Sequence, residues 1–400
     1  MEELLERFIR YVKVNTMSSE DATTTPSTME QFDLAMILKD ELISLGMEEV
    51  NVDEHCIVTA SLPSNCNSDL TIGFIAHLDT IPGFSGKNVK PQVIRNYDGK
   101  RVELKGIALD PEEFPFLKNL KGKTLITTDG TTVLGADDKA GVATIMQMLS
   151  EIKKNPDFKH VNIKIAFTPD EEIGGGIASF DVKKFNADYA YTVDGGIFNG
   201  IEYENFNASS AVVDFTGLDI HPGSAKGHML NASLIAMEFN SMLPQNEAPM
   251  YTEGYEGFYH LCSMRGEVGS ASLEYILRDH DLDKLNMKKQ MLLSARDYIN
   301  CKYGSNTCAV KITDSYLNMY EILKNDTRSI ERAKKAIKGL GFEPFTSPIR
   351  GGTDGAKLTQ MGLNTPNLGT GGYNCHGPYE CACLEEMESV KNILLAIAKN

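Results

Sequence analysis

The chain has no basic excess: 39 lysines and arginines stand against 55 aspartates and glutamates, a formal charge of -16 over 400 residues. Recognition of nucleic acid through phosphate neutralisation is therefore not expected. The acidic balance suits a basic or zwitterionic partner, and its simplest use is solubility. No run of 18 apolar residues occurs, so no membrane span is expected. Cysteine is sparse, with eight residues and no CxxC pair; Cys381 and Cys383 have one residue between them. That spacing excludes a disulfide-built scaffold and a paired-cysteine structural zinc site, and it predicts mostly buried, reduced thiols. The opening stretch MEELLERFIRYVKV is acidic and amphipathic rather than basic and then apolar, so no signal peptide is expected and the location is read as cytoplasmic.

What is present is the composition of a globular protein, 42% hydrophobic and 24% charged, in a chain long enough for two domains. Leu4, Leu5, Phe8, Ile9 and Val12 repeat with helical spacing, and Ser27-Thr28-Met29-Glu30 reads as a capping box for a second helix ending near Gly46. Apolar runs at Leu70 to Ala76, Thr124 to Thr127, Val161 to Phe167 and Tyr189 to Val193 read as strands. They interleave with a helix carrying Val142, Ile145, Met146, Leu149 and Ile152. Alternation of this kind predicts an α/β sheet covered by helices.

After about Asn207 the order becomes strand, helix, strand, strand, helix, strand, the split β-α-β-β-α-β arrangement of a ferredoxin-like domain. Helices at Ser329 to Leu340 and Leu384 to Lys399 then resume the first pattern. The expected division is a first domain over 1–206 and 317–400, with 207–316 inserted.

Five places put metal-capable side chains just past strand-like runs, where open α/β sheets bind ligands. In Gly73-Phe74-Ile75-Ala76-His77-Leu78-Asp79-Thr80, a continued strand would point His77 and Asp79 the same way. In Gly135-Ala136-Asp137-Asp138-Lys139 two acids open an apolar helix. They could simply cap it, or Asp137 could give one oxygen to each of two cations roughly 3.5–4 Å apart. In Thr168-Pro169-Asp170-Glu171-Glu172 three consecutive acids repel one another unless a cation or proton neutralises them. Asp194 precedes Gly195-Gly196, and His376 sits in the glycine-rich Gly371-Gly372-Tyr373-Asn374-Cys375-His376-Gly377. Each place alone has a plainer reading as a cap, turn or polar strand exit. Together they supply two histidines and three carboxylates, a set that suits a pair of borderline ions such as zinc.

HLDT, GADDKAG, TPDEE, TVDGG, HPGSAKG, RGGTDGA and TGGYNCHG, in this order, resemble the M20 metallopeptidases. The longer phrases LITTDG, TEGYEGFYHL and GLNTPNLGTGGYN are similar to the peptidase T branch of that family. The resemblance spans the chain. It implies a zinc-peptidase-like α/β catalytic domain with a mixed sheet between helices and an inserted ferredoxin-like α+β lid. It implies an aminopeptidase that takes the N-terminal residue from short peptides, chiefly tripeptides, with two zinc ions for which cobalt or manganese could substitute. A homodimer is compatible with the same reading.

On this resemblance His77, Asp137 and Asp194 would hold one ion, and Asp137, Glu172 and His376 the second. Glu171 would be the general base for the bridging water whose hydroxide attacks the scissile carbonyl, and Asp79 would orient and polarise His77. His221 of HPGSAKG would stabilise the oxyanion on lid closure, while Asn231, Arg278 and Arg350 would grip the substrate. The resemblance also implies a cis peptide after Asp137, and it makes Cys375 a bystander rather than a ligand.

Three other readings are open at this point. A related M20 dipeptidase or N-acyl amino acid amidohydrolase would share the metal chemistry. An inactive binding module would keep the fold but has no need of Glu171. A phosphate-binding protein would explain the glycine-rich stretches, but none carries a P-loop lysine or a GxGxxG opening a helix after a strand.

Overall fold

A computed structural model describes all 400 residues. The chain divides into two compact units, one comprising residues 1–203, 322–347 and 353–400, the other residues 204–321 and 348–352. Residues 348–352, expected in the first domain, group with the inserted unit because Ile349 forms a bridge with Asn205 and its carbonyl meets His280 Nε2 at 3.2 Å.

The first unit is built on a seven-stranded sheet. Its strands in chain order are β1 (Glu48–Val52), β2 (Val58–Leu62), β3 (Thr71–His77), β4 (Asn162–Thr168), β5 (Tyr189–Gly195), β6 (Ile201–Glu202) and β7 (Asn367–Gly369). Their spatial order is β1-β2-β4-β3-β5-β7-β6. The four middle strands run parallel, and the sheet turns antiparallel at both edges, making it mixed. The parallel strands are nearly continuous apolar runs, as burial on both faces requires. Ile75, Ala166 and Ala190 share one buried cluster with Phe180, Phe185 and Leu358.

Helices α1 (Glu2–Val12), α2 (Gln31–Ser44), α3 (Ala136–Lys154), α4 (Arg328–Gly339) and α5 (Leu384–Ala398) pack around this sheet. Helix α3 lies on β3 and β5 and is itself flanked by α1 and α5, which explains why Val142 to Leu149 is buried throughout. Two expectations need correction. Leu125–Thr127 is a strand, but of a separate four-stranded sheet with Gln92–Ile94, Gly372–Tyr373 and Cys381–Cys383. The Ser27 box does not cap α2: Ser27 Oγ and N–H instead donate to Asp170 at 2.5 and 2.7 Å.

The second unit has the predicted β-α-β-β-α-β order. Its strands Phe258–Gly266, Ser270–Asp279, Asn207–Thr216 and Cys308–Tyr316 lie side by side in that spatial order, all antiparallel, which is the ferredoxin-like sheet. Alternation buries Val213 and Phe215 and exposes Val212 and Asp214. The buried side packs against Ala232–Ser241 and Leu282–Tyr303 through Phe239, Leu273, Leu277, Leu285 and Leu292. No helix of either unit is long and apolar enough to cross a membrane. All eight cysteines are free, but only Cys56, Cys308, Cys381 and Cys383 are buried, fewer than expected, because Cys262, Cys301 and Cys375 lie on exposed segments.

Candidate metal centre

Parallel register places the ends of neighbouring strands level with one another. His77 at the end of β3 pairs with Thr168 at the end of β4, and Gly195 of β5 pairs with Gly369 of β7. His77, the Asp170 to Glu172 turn, Asp194 and the loop to His376 therefore leave the sheet along one edge. The start of α3 meets the same edge. Gly141 allows this approach, since a Cβ there would lie 1.9 Å from the Val193 carbonyl oxygen.

Two groups of side chains that could each hold a metal ion result: His77, Asp137 and Asp194, and Asp137, Glu172 and His376. Within each group the ligand atoms lie within 4.8 Å of one another. Asp137 belongs to both. Its Oδ1 faces His77 Nε2 at 3.0 Å, and its Oδ2 faces His376 Nε2 at 3.1 Å. Asp194 Oδ1 lies 3.4 Å from His77 Nε2, and Glu172 Oε2 lies 3.1 Å from His376 Nε2. Imidazole nitrogens mixed with carboxylate oxygens form a donor set that fits borderline divalent ions. The peptide bond between Asp137 and Asp138 is cis, as the family resemblance implies.

The surroundings orient these candidate ligands. His77 Nδ1 lies 3.1 Å from the Asp79 carbonyl and 3.3 Å from Asp79 Oδ1. A proton on Nδ1 donated to Asp79 leaves the Nε2 lone pair for an ion. Asp79 also accepts the N–H groups of Glu171 and Glu172 at 2.9 and 3.2 Å. Asp170, left-handed at φ 53°, turns its carboxylate away to Ser27 and to Gln31 Nε2, 2.7 Å distant. The three consecutive acids thus divide, one anchoring the turn and two entering the site.

Burial disfavours charge on these acids, and they repel one another. Burial first, then Asp354 and Asp194, hold the Glu171 carboxyl well above the usual carboxylate range. Burial, with Asp137 adding to it against the opposing pull of His77, pushes Asp194 up to about 7. Asp137 is the exception: burial would raise it, but hydrogen bonds with His376 and His77 hold it far below the ordinary value. Hydrogen bonds with Asp137 and Glu172 push His376 up to about 10. A concentration of partly buried acids around two imidazoles is the electrostatic setting that divalent cations neutralise.

Asp354 escaped the sequence reading. It is buried, accepts from Thr168 Oγ1 at 3.1 Å and leaves Oδ1 without a hydrogen-bond partner. Its place in the RGGTDGA phrase was the available signal.

The remaining expected residues belong to the second unit. His221 is exposed, its Nδ1 accepting the Gly223 N–H at 3.2 Å. Asn231 caps the helix Ala232–Ser241 by accepting the Leu234 N–H. Arg278 lies over the Tyr316 ring. Arg350 donates to the carbonyls of Gly254, Glu256 and Thr252 and lies over Phe206 and Phe258, so its guanidinium is engaged within its own unit.

Residues 133–400 match the family described as Peptidase family M20/M25/M40. Peptidase T of Alkaliphilus oremlandii (strain OhILAs) is 50% identical over 403 residues, covering 99% of this chain and 98% of that protein. Two crystal structures share the fold at 21% identity with a TM-score of 0.79. One is aminopeptidase PepT from Bacillus cereus ATCC 10987, covering 99% of this chain and 97% of that one. The other is a tripeptidase from Staphylococcus aureus subsp. aureus mu50, covering 100% and 97%.

Proposed function

The chain belongs to peptidase family M20/M25/M40, and on that premise we propose that it is a two-metal aminopeptidase releasing the N-terminal residue of short peptides, chiefly tripeptides. The observation that carries the reading is Asp137, whose two oxygens face two different histidines, with Glu171 on the turn beside them. The substrate class is supported by near-full-length likeness to peptidase T.

His77, Asp137 and Asp194 would hold one ion, and Asp137, Glu172 and His376 the other. Zinc suits these donors, and cobalt or manganese could replace it. When bound, such a pair activates a shared water and polarises the scissile carbonyl. Glu171 takes a proton from the attacking water onto its carboxylate and hands it to the departing amine. Asp79 holds its backbone in place. His221 would stabilise the developing oxyanion, and Asn231, Arg278 and Arg350 are assigned to peptide binding. The free thiols and the absence of a membrane-spanning helix are in keeping with work in the cytoplasm.

The test is release of free amino acid from an unblocked tripeptide and from its N-acetylated form. Turnover of the free peptide alone, abolished by a chelator, is expected. Equal turnover of the blocked peptide would reassign the enzyme to N-acyl amidohydrolysis, and no turnover of either would favour a binding module.

A further inference from the structure

Glu380 is 1% exposed and lies four residues beyond His376 on the same loop. Its carboxylate takes two N–H groups of a single turn: Oε2 accepts from Gly135 at 2.8 Å, and Oε1 accepts from Asp137 at 3.0 Å. That turn begins α3, but Gly135 is left-handed at φ 76°, and Asp137 and Asp138 have non-helical dihedrals. The N–H groups of Gly135 and Asp137 therefore have no intrahelical acceptor, as is general for the first turn of a helix, and a side chain must supply one.

No lysine, arginine or histidine forms an ion pair with Glu380. A buried carboxylate without such a partner is costly, and a neutral side chain would fill the same space more cheaply. What a carboxylate alone provides is two acceptor oxygens for two N–H groups at once. The loop that delivers His376 Nε2 to Asp137 Oδ2 at 3.1 Å thus also grips the Asp137 backbone, so Asp137 is fixed from both ends by residues 376 and 380. The arrangement parallels Asp79, which takes the N–H groups of Glu171 and Glu172 across the site.

We propose that Glu380 is a positioning residue whose carboxylate fixes the Gly135–Asp137 turn so that the two oxygens of Asp137 face His77 and His376. This rests on the metallopeptidase reading above, and it assigns Glu380 an effect on metal uptake that a packing residue would not have.

The experiment is a cobalt(II) titration of the metal-free, full-length protein, followed by visible absorption, for the wild type, Glu380→Gln and Glu380→Asp. Glutamine keeps the size but offers one acceptor, and aspartate keeps the charge but is one methylene short. Both variants are expected to remain folded and to bind at least one cobalt about 10- to 100-fold more weakly, with a changed spectrum. Their kcat should fall while KM for a tripeptide holds, and excess cobalt should recover part of the rate. Wild-type cobalt affinity and spectrum in a folded Glu380→Gln would overturn the proposal, as would a lowered melting temperature with unchanged affinity. Loss of the fold in both variants would also overturn it, because a residue that only aims Asp137 leaves the rest of the chain intact. A wild type that takes up no cobalt and cleaves no tripeptide would instead sink the functional reading itself, and this proposal with it.

Discussion

The backbone N–H of Glu171 donates to Asp79 Oδ1 at 2.9 Å, so the acid just past the end of one strand holds the residue we propose for proton transfer, just past the end of the next. The same carboxylate takes the Glu172 N–H and lies 3.3 Å from His77 Nδ1. Asp79 thus contacts one proposed ligand of each ion, His77 and Glu172, as well as the proposed base.

Replacing Asp79 by asparagine tests that arrangement. The amide would set an NH2 group against an N–H donor and lose at least one of the two bonds to the turn. We expect kcat to fall about 10- to 100-fold with a smaller change in KM, measured by steady-state kinetics on a free tripeptide.

Glu171→Gln removes the proposed proton acceptor and leaves the five proposed ligands in place. Turnover should drop by about 10²- to 10⁴-fold or more, while metal content measured by atomic emission stays at the wild-type level. Loss of metal together with activity would instead make Glu171 a ligand.

Removing metal should cost stability as well as activity. Asp137, Asp194 and Glu172 are packed together, and an ion bound only by the folded state stabilises it by mass action. Calorimetry should show a lower melting temperature for the chelated protein and recovery on adding zinc.

Gly141→Ala should disturb the junction of α3 with β5. The added methyl would meet the Val193 carbonyl at 1.9 Å and Asp138 Oδ1 at 2.4 Å. Overpacking of this kind costs about 1–3 kcal/mol, readable from urea denaturation. Activity should fall further than stability alone accounts for, because the two elements forced apart carry Asp137 and Asp194.

Much of the fold was legible locally. Thr71–His77, Asn162–Thr168 and Tyr189–Gly195 are apolar runs bounded by turn residues, and the strands and helices of the second unit alternate plainly. Strand β1 was not legible, because an edge strand with exposed residues on both faces carries no hydrophobic signal. Leu125–Thr127 was recognised as a strand but placed in the wrong sheet, since its partners come from residues 92–94 and 381–383.

Side-chain chemistry is a property of residue type, so the sequence alone determined which groups could serve as ligands and base, and in what order they occur. Only the tertiary structure decided which oxygen of Asp137 faces which histidine, why Ser27 anchors Asp170 instead of capping a helix, and that Glu380 and Asp354 are buried. The reason is distance along the chain. The bonds joining Asp79 to Glu171, Ser27 to Asp170 and Glu380 to Asp137 span 92, 143 and 243 residues, and a buried acid has the same letter as a solvated one.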